Sequence, residues 1–312
     1  MDQLRFDGRV AIVTGAGGNP SLGRAHALLL AARGAHVVVN DIGELPAALG
    51  YPGIGSAQAV VDEIRAADGS AVADTHSVAD EAGAAAIVQA AIDAFGRVDI
   101  VVNNAGVCRV VSFDDMTPAD FRHTIEVNLM GTVQVCRAAW PHLKAQGYGR
   151  IVNIASGSMT GLAWQTAYAA AKGGVFSFTR ALASEGVAHG IRANVVTPGA
   201  LTRMVHAAQG PDSSFIAAAA DGVLAPELVS PTIAVLAHEQ CPVTGECIES
   251  IGGRVDRFYL ARTPGFTDPA MTVETLAAHW DEVMAGAAPG ISRHDESDPR
   301  QWSPRAYRPL SA

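Results

Sequence analysis

Lysine is almost absent from this 312-residue chain, with Lys144 and Lys172 standing against twenty arginines among 22 basic residues. No block of Lys and Arg breaks a net charge of −9, so an extended phosphate backbone has nothing to grip and nucleic acid is excluded as a partner. Cysteine is scarce too. Cys108, Cys136, Cys241 and Cys247 form no C-x-x-C pair, and the first residues do not read as a signal peptide. No disulfide framework is expected, and a reducing cytoplasmic interior is. Apolar runs such as Phe215–Ala220 are far too short to cross a bilayer, so no membrane anchoring is expected. The ten histidines are scattered and no H-E-x-x-H occurs, which argues against a metal site.

What remains is a chain 49% hydrophobic and 17% charged, rich in glycine, of a length that allows one large core. Short β-branched runs alternate with Ala-rich helical stretches. Residues 10–14, 37–40, 98–103, 151–154 and 191–196 read as strands, with weaker ones near 71–76 and 247–250. Residues 23–32, 57–67, 82–95, 119–145 and 166–188 read as helices, Thr117-Pro118 being a start signal. Uninterrupted apolar strands and repeated β-α-β order predict an α/β single domain, a doubly wound parallel sheet of about seven strands. That domain spans 1–253. A C-terminal extension, 254–312, carries an amphipathic helix over 272–284 and a Pro- and Arg-rich tail over 288–312.

The candidate chemistry sits in the 166–188 helix. Tyr168 and Lys172 are four residues apart and share one helical face. A phenol titrates at about 10 alone, and a neighbouring ammonium favours its ionised form, which makes Tyr168 a candidate general acid/base. Upstream, the first strand runs into Thr14-Gly-Ala-Gly-Gly-Asn-Pro-Ser-Leu-Gly-Arg24, a glycine-rich turn whose backbone N–H groups and following helix can cradle a pyrophosphate. Asp41, ending the second strand, can accept hydrogen bonds from ribose hydroxyls and repel a 2′-phosphate, which favours NAD over NADP. Arg24 is the residue that could contact such a phosphate instead.

With the glycine-rich turn, Asn103-Asn-Ala-Gly106, Asn128, Ser156, Tyr168-x-x-x-Lys172 and Pro198-Gly199 in order, the chain resembles the short-chain dehydrogenase/reductase family over residues 7–253. The resemblance implies a Rossmann-type fold and an NAD(P)-dependent oxidoreductase acting on a secondary alcohol or its ketone. By the same resemblance Ser156 would hold the substrate oxygen and Tyr168 would pass the proton. Lys172 would grip the nicotinamide ribose, and Asn128 would hold a water behind it. Gly15, Asn19, Ser21, Leu22, Gly23, Asp41, Ser77, Val78, Asn104, Ala105, Gly106, Pro198, Gly199 and Thr202 would border the dinucleotide, together with Tyr168 and Lys172. A homo-oligomer is implied, with the fourth and fifth helices in contact through Ala167, Ala169, Ala170, Ala171 and Gly173.

Three features depart from the family pattern. Gly15 and Gly23 are eight apart, longer than usual, because Asn19-Pro20-Ser21 stands in for a single glycine. That spacing is similar to the enoyl-thioester reductases, which place Tyr and Lys farther apart than here. The step from Ser156 to Tyr168 is short, leaving Ser158 as the alternative serine. The chain also continues past the family core. Gly252-Gly-Arg-Val-Asp-Arg and Thr263-Pro-Gly-Phe resemble the end of the (3R)-hydroxyacyl-CoA dehydrogenase unit of peroxisomal multifunctional enzymes and their bacterial relatives.

Beyond the sixth strand, Met204, Val205, Phe215 and Ile216 in residues 200–225, with Trp164 opposite, would form either an apolar lid or plain packing. Cys108 could face substrate, although a small buried apolar role suits a lone thiol better. A nucleotide-binding sensor or scaffold without turnover is the rival reading, motivated by the altered glycine turn.

Overall fold

The computed structural model describes residues 3–43, 56–205 and 222–285. Eight strands form one sheet: β1 Val10–Thr14, β2 His36–Asn40, β3 Ser70–Asp74, β4 Ile100–Asn103, β5 Gly149–Ile154, β6 Ile191–Gly199, β7 Cys247–Ile251 and β8 Arg254–Phe258, in the order β3-β2-β1-β4-β5-β6-β7-β8. The first seven run parallel, and β8 returns antiparallel to β7. β1, β4 and β5 are buried along their whole length because helices cover both faces, which is why they run largely apolar without alternation, the buried Arg150 and Asn153 of β5 being hydrogen-bonded.

On one face lie α1 Leu22–Ala32, α2 Ala57–Ala66 and α7 Ser230–Ala237, contributing Leu30, Val60, Val61, Ile64 and Ile233 to a single core. On the other lie α3 Glu81–Phe95, α5 Gly131–Gln146 and α6 Thr166–Gly186, packing Ile87, Val135, Ala139 and Ala183 against the sheet. Ser21, Ser56, Asp80 and Thr117 each cap a helix by accepting an N–H bond at its start, so the chain turns out of each preceding segment at a defined angle.

Four features differ from the sequence expectation. The single helix expected over 119–145 is α4 Pro118–Ile125, a π-helical turn Glu126–Met130, and then α5. The eighth strand is a hairpin partner whose two turn residues, Gly252 and Gly253, both have positive φ, as a two-residue primed turn requires. Helix α7 is additional. The helix expected over 272–284 is two short ones, α8 Val273–Ala278 and α9 Trp280–Met284, meeting at His279. The tail 288–312 and the lid residues Phe215 and Ile216 lie outside the described residues.

Candidate active site

A cavity of about 530 Å³ runs along the carboxyl ends of the parallel strands, across the point between β1 and β4 where strand order reverses. Loops diverge there in opposite directions and leave a crevice. Of the candidate residues, Gly15, Ser21, Leu22, Asp41, Ser77, Val78, Asn104, Ala105, Gly106, Ser156, Tyr168, Lys172, Pro198, Gly199 and Thr202 line it. Gly23 and Asn128 are buried just behind the wall. Asn19 is exposed, and its neighbour Pro20 lines the cavity in its place.

The lengthened glycine turn keeps its two ends together. A Cβ on Gly23 would lie 2.5 Å from the Gly15 carbonyl oxygen and 2.6 Å from Asn104 Nδ2, so only glycine permits the approach. Asn104 Nδ2 donates to the carbonyls of Thr14 (2.9 Å) and Gly15 (3.0 Å), while the Thr14 hydroxyl accepts from the N–H of Asn104 and Ala105. The inserted residues therefore bulge outward, closed by Ser21, whose hydroxyl donates to the Gly18 carbonyl (3.0 Å) and accepts from Arg24 N–H. Asp41 holds the turn from the second strand, accepting from Gly17 N–H at 2.8 Å and Gly43 N–H at 3.0 Å. Arg24 is ion-paired with Glu63 of α2.

At the other end, α6 presents Tyr168 half-buried and Lys172 2% exposed. Lys172 Nζ donates to the Ile154 carbonyl at 2.7 Å and stands 5.5 Å from the centre of the Tyr168 ring. Burial pulls the Lys172 ammonium down to about 8, opposed by the Cys108 thiol. Cys108 lines the cavity, and burial pushes that thiol up to about 11, so it is neutral beside the lysine. The π-helical turn carries Asn128 inward, a placement in keeping with the frequency of such turns at functional sites. Asn128 Nδ2 donates to the carbonyls of Val107 (2.8 Å) and Thr124 (2.9 Å), and its Oδ1 is buried without a partner in the protein. A Cβ on Gly106 would meet that Oδ1 at 2.6 Å and Lys172 Nζ at 3.6 Å, so amide and ammonium flank one glycine.

The two serines form a chain. Ser156 Oγ donates to Ser158 Oγ at 3.0 Å, and Ser158 Oγ donates to Gln165 Oε1 at 2.7 Å. Both serines line the cavity, but Ser158 is buried with its proton committed to Gln165, whereas Ser156 stands half-open. Gln165, immediately ahead of α6, was not among the expected residues.

The chain matches the family model described as short chain dehydrogenase over residues 9–212. The chain belongs to the short-chain dehydrogenase family. Among its relatives is the peroxisomal multifunctional enzyme type 2 of Drosophila melanogaster, 41% identical over 90% of this chain and 46% of that protein. A short-chain type dehydrogenase/reductase of Mycobacterium tuberculosis is 42% identical over 89% of this chain and 96% of its own length. A crystal structure of a short chain dehydrogenase from Mycobacterium paratuberculosis bound to NAD superposes with a TM-score of 0.70 at 31% identity, covering 80% of this chain and 98% of that one. The chain spans less than half the length of the peroxisomal relatives from Neurospora crassa, Drosophila melanogaster and Mus musculus.

Several residues lining the cavity were not foreseen from the sequence. Val110, Leu162 and Ile251 join Met204 and Val205 as apolar lining residues. Glu249 and Arg203 also face the cavity. Glu249 is half-buried, and burial first and Asp256 second push its carboxyl up. Trp164 does not line the cavity: it is 40% exposed and its carbonyl ties down Val111 N–H. Ala167 and Ala171 are fully buried against the protein's own core, which leaves Ala169, Ala170 and Gly173 on the outer side of α6. Among the described residues, no helix is long and apolar enough to cross a membrane.

Proposed function

We propose that this protein moves hydride between a secondary alcohol or ketone and a nicotinamide dinucleotide, with NAD favoured over NADP. The observation that carries the reading is the gathering of Ser156, Tyr168 and Lys172 in the same cavity as the glycine-rich turn. A dinucleotide fits these residues: Gly15 and Gly23 meet where a Cβ would clash, and the buried Asn128 Oδ1 lacks a protein donor. When bound, the dinucleotide supplies the redox chemistry. Ser156 holds the substrate oxygen, the step that turns its proton away from Ser158. Tyr168 passes the hydroxyl proton. Lys172 keeps positive charge beside the phenol and faces the nicotinamide ribose, and Asn128 holds the water that resupplies protons from solvent.

The apolar side chains lining the cavity, among them Val110, Leu162, Met204, Val205 and Ile251, suit an acyl chain or another apolar alcohol. Relatives named as peroxisomal hydratase-dehydrogenase-epimerases make a hydroxyacyl thioester the first substrate to try. NADH formation across a panel of hydroxyacyl-CoA thioesters, steroids and terpene alcohols tests the reading. Turnover is expected with at least one thioester, and a nucleotide bound tightly with no panel member turned over would favour a sensor instead.

Asp41 supports the cofactor preference, since Arg24 is held by Glu63 and does not compensate a 2′-phosphate. Replacing Asp41 with Ala is expected to lower the ratio of kcat/KM for NAD over NADP by about 10- to 100-fold, the worth of hydrogen bonds to a charged group. An unchanged ratio would remove Asp41 from discrimination. Free cysteines throughout the described residues suit a reducing compartment such as the cytoplasm. The outer face of α6, with Ala169, Ala170 and Gly173, offers a close-approach surface for the second copy of a homo-oligomer.

A further inference from the structure

The segment that follows β6 is latched to the inserted part of the glycine turn. Arg203 N–H donates to the Pro20 carbonyl at 3.3 Å, and Leu201 N–H donates to Leu224 O at 2.7 Å, which fixes the backbone on either side of Thr202. From that anchor the Arg203 side chain reaches back over the turn. A Cβ on Gly18 would lie 2.5 Å from Arg203 Nη2 and 3.2 Å from its Cζ, so the guanidinium rests on the α-carbon of Gly18, and both residues line the cavity. Two donors of the turn are already used inside the protein. Gly17 N–H is bonded to Asp41, and the Ser21 hydroxyl to Gly18. Asp41 adds negative charge close by, and Arg24 is turned toward Glu63. Lys172, the other strongly basic side chain on the cavity wall, sits beside Tyr168 and Gly106, away from the turn.

We propose that Arg203 is a clamp that holds the pyrophosphate of the bound dinucleotide against Gly18, supplying the charge that the lengthened turn does not. This rests on the dinucleotide reading above. The planar guanidinium matches two phosphate oxygens at once, which a lysine ammonium cannot reproduce. The clamp also gives the insertion a purpose: Pro20 supplies the carbonyl that anchors the Arg203 backbone, so the residues that lengthen the turn also position its cation.

Binding of NADH, ADP, adenosine and coenzyme A to the wild-type protein, Arg203→Gln and Arg203→Lys, followed by calorimetry or competition with NADH fluorescence, tests the clamp. Thermal melting verifies that each variant is folded. Arg203→Gln is expected to weaken NADH and ADP at least tenfold while adenosine changes less than twofold, with Arg203→Lys in between. The salt dependence of NADH binding should be shallower in Arg203→Gln.

NADH bound equally well by wild type and Arg203→Gln would overturn the clamp and leave the dinucleotide reading standing. No NADH binding by the wild type would instead remove that reading itself. Adenosine weakened as much as NADH would mean that the turn has collapsed, and coenzyme A weakened alone would assign the guanidinium to substrate phosphates. Either result overturns the proposal.

Discussion

Replacing Tyr168 with Phe is expected to lower kcat by about a thousandfold, the scale of a positioned general acid/base, while the dissociation constant for NADH moves less than about threefold. The phenyl ring keeps the packing of α6 and only the hydroxyl is lost. Lys172, whose Nζ donates to the Ile154 carbonyl, keeps its place. Binding and chemistry therefore separate, and single-turnover measurements with saturating nucleotide read the chemical step alone. Retention of more than about a tenth of turnover would take the proton transfer away from Tyr168 and return attention to the serine chain. Ser156→Ala provides the comparison. It removes a hydrogen bond to the substrate oxygen but no proton-transfer group, so its loss should be smaller.

The parallel core was legible because covered strands must be apolar along their length, as in Val10–Thr14 and Val37–Val39. Tyr168 and Lys172 were legible because a helix makes i and i+4 neighbours whatever the rest of the chain does. Features that depend on distant contacts were not. β8 is a polar, mostly exposed strand with no apolar run to announce it, and the glycine pair Gly252-Gly253 ahead of it is its one hairpin signal. α7 is buried at nearly every position, so it has no polar stripe for a helical period to reveal. The π-helical turn shifts the hydrogen-bond offset by one residue without altering the apolar pattern. The position of Arg203 over Gly18 exists only once β1 and β6 lie in one sheet, so nothing in its neighbours announces it.

Lys172→Met is expected to abolish turnover while making the folded protein relatively more stable near neutral pH, because the wild-type ammonium is buried at 2% exposure. Its pKa falls from the ordinary 10.5 to about 8, with burial as the main cause and the Cys108 thiol opposing it. Below about pH 8 both folded and unfolded chains carry the proton, and the folded state bears the whole penalty of an ammonium out of water, about 3 kcal/mol. Between about 8 and 10.5 the unfolded chain still holds the proton and the folded chain releases it, so wild-type stability from this group rises with pH across that window. Of the titrating neighbours, Cys108 ionises only near 11 and stays out of the window, and comparing the two proteins in a Tyr168→Phe background keeps the phenol out of it as well.

Methionine removes the penalty, but it also leaves the Ile154 carbonyl without its donor, a loss of about 1–3 kcal/mol. The net gain at pH 7 is therefore small, and the informative quantity is its slope. In urea unfolding at pH 7, 8, 9 and 10, the stability of the variant relative to wild type should be greatest at pH 7 and shrink steadily as pH rises. A difference that stays flat would mean that the Lys172 proton is not displaced on folding, and the lysine could then hold full charge beside Tyr168 at no expense to the fold. A sloping difference would mean that the fold tolerates a destabilising buried cation at the point where the phenol needs one.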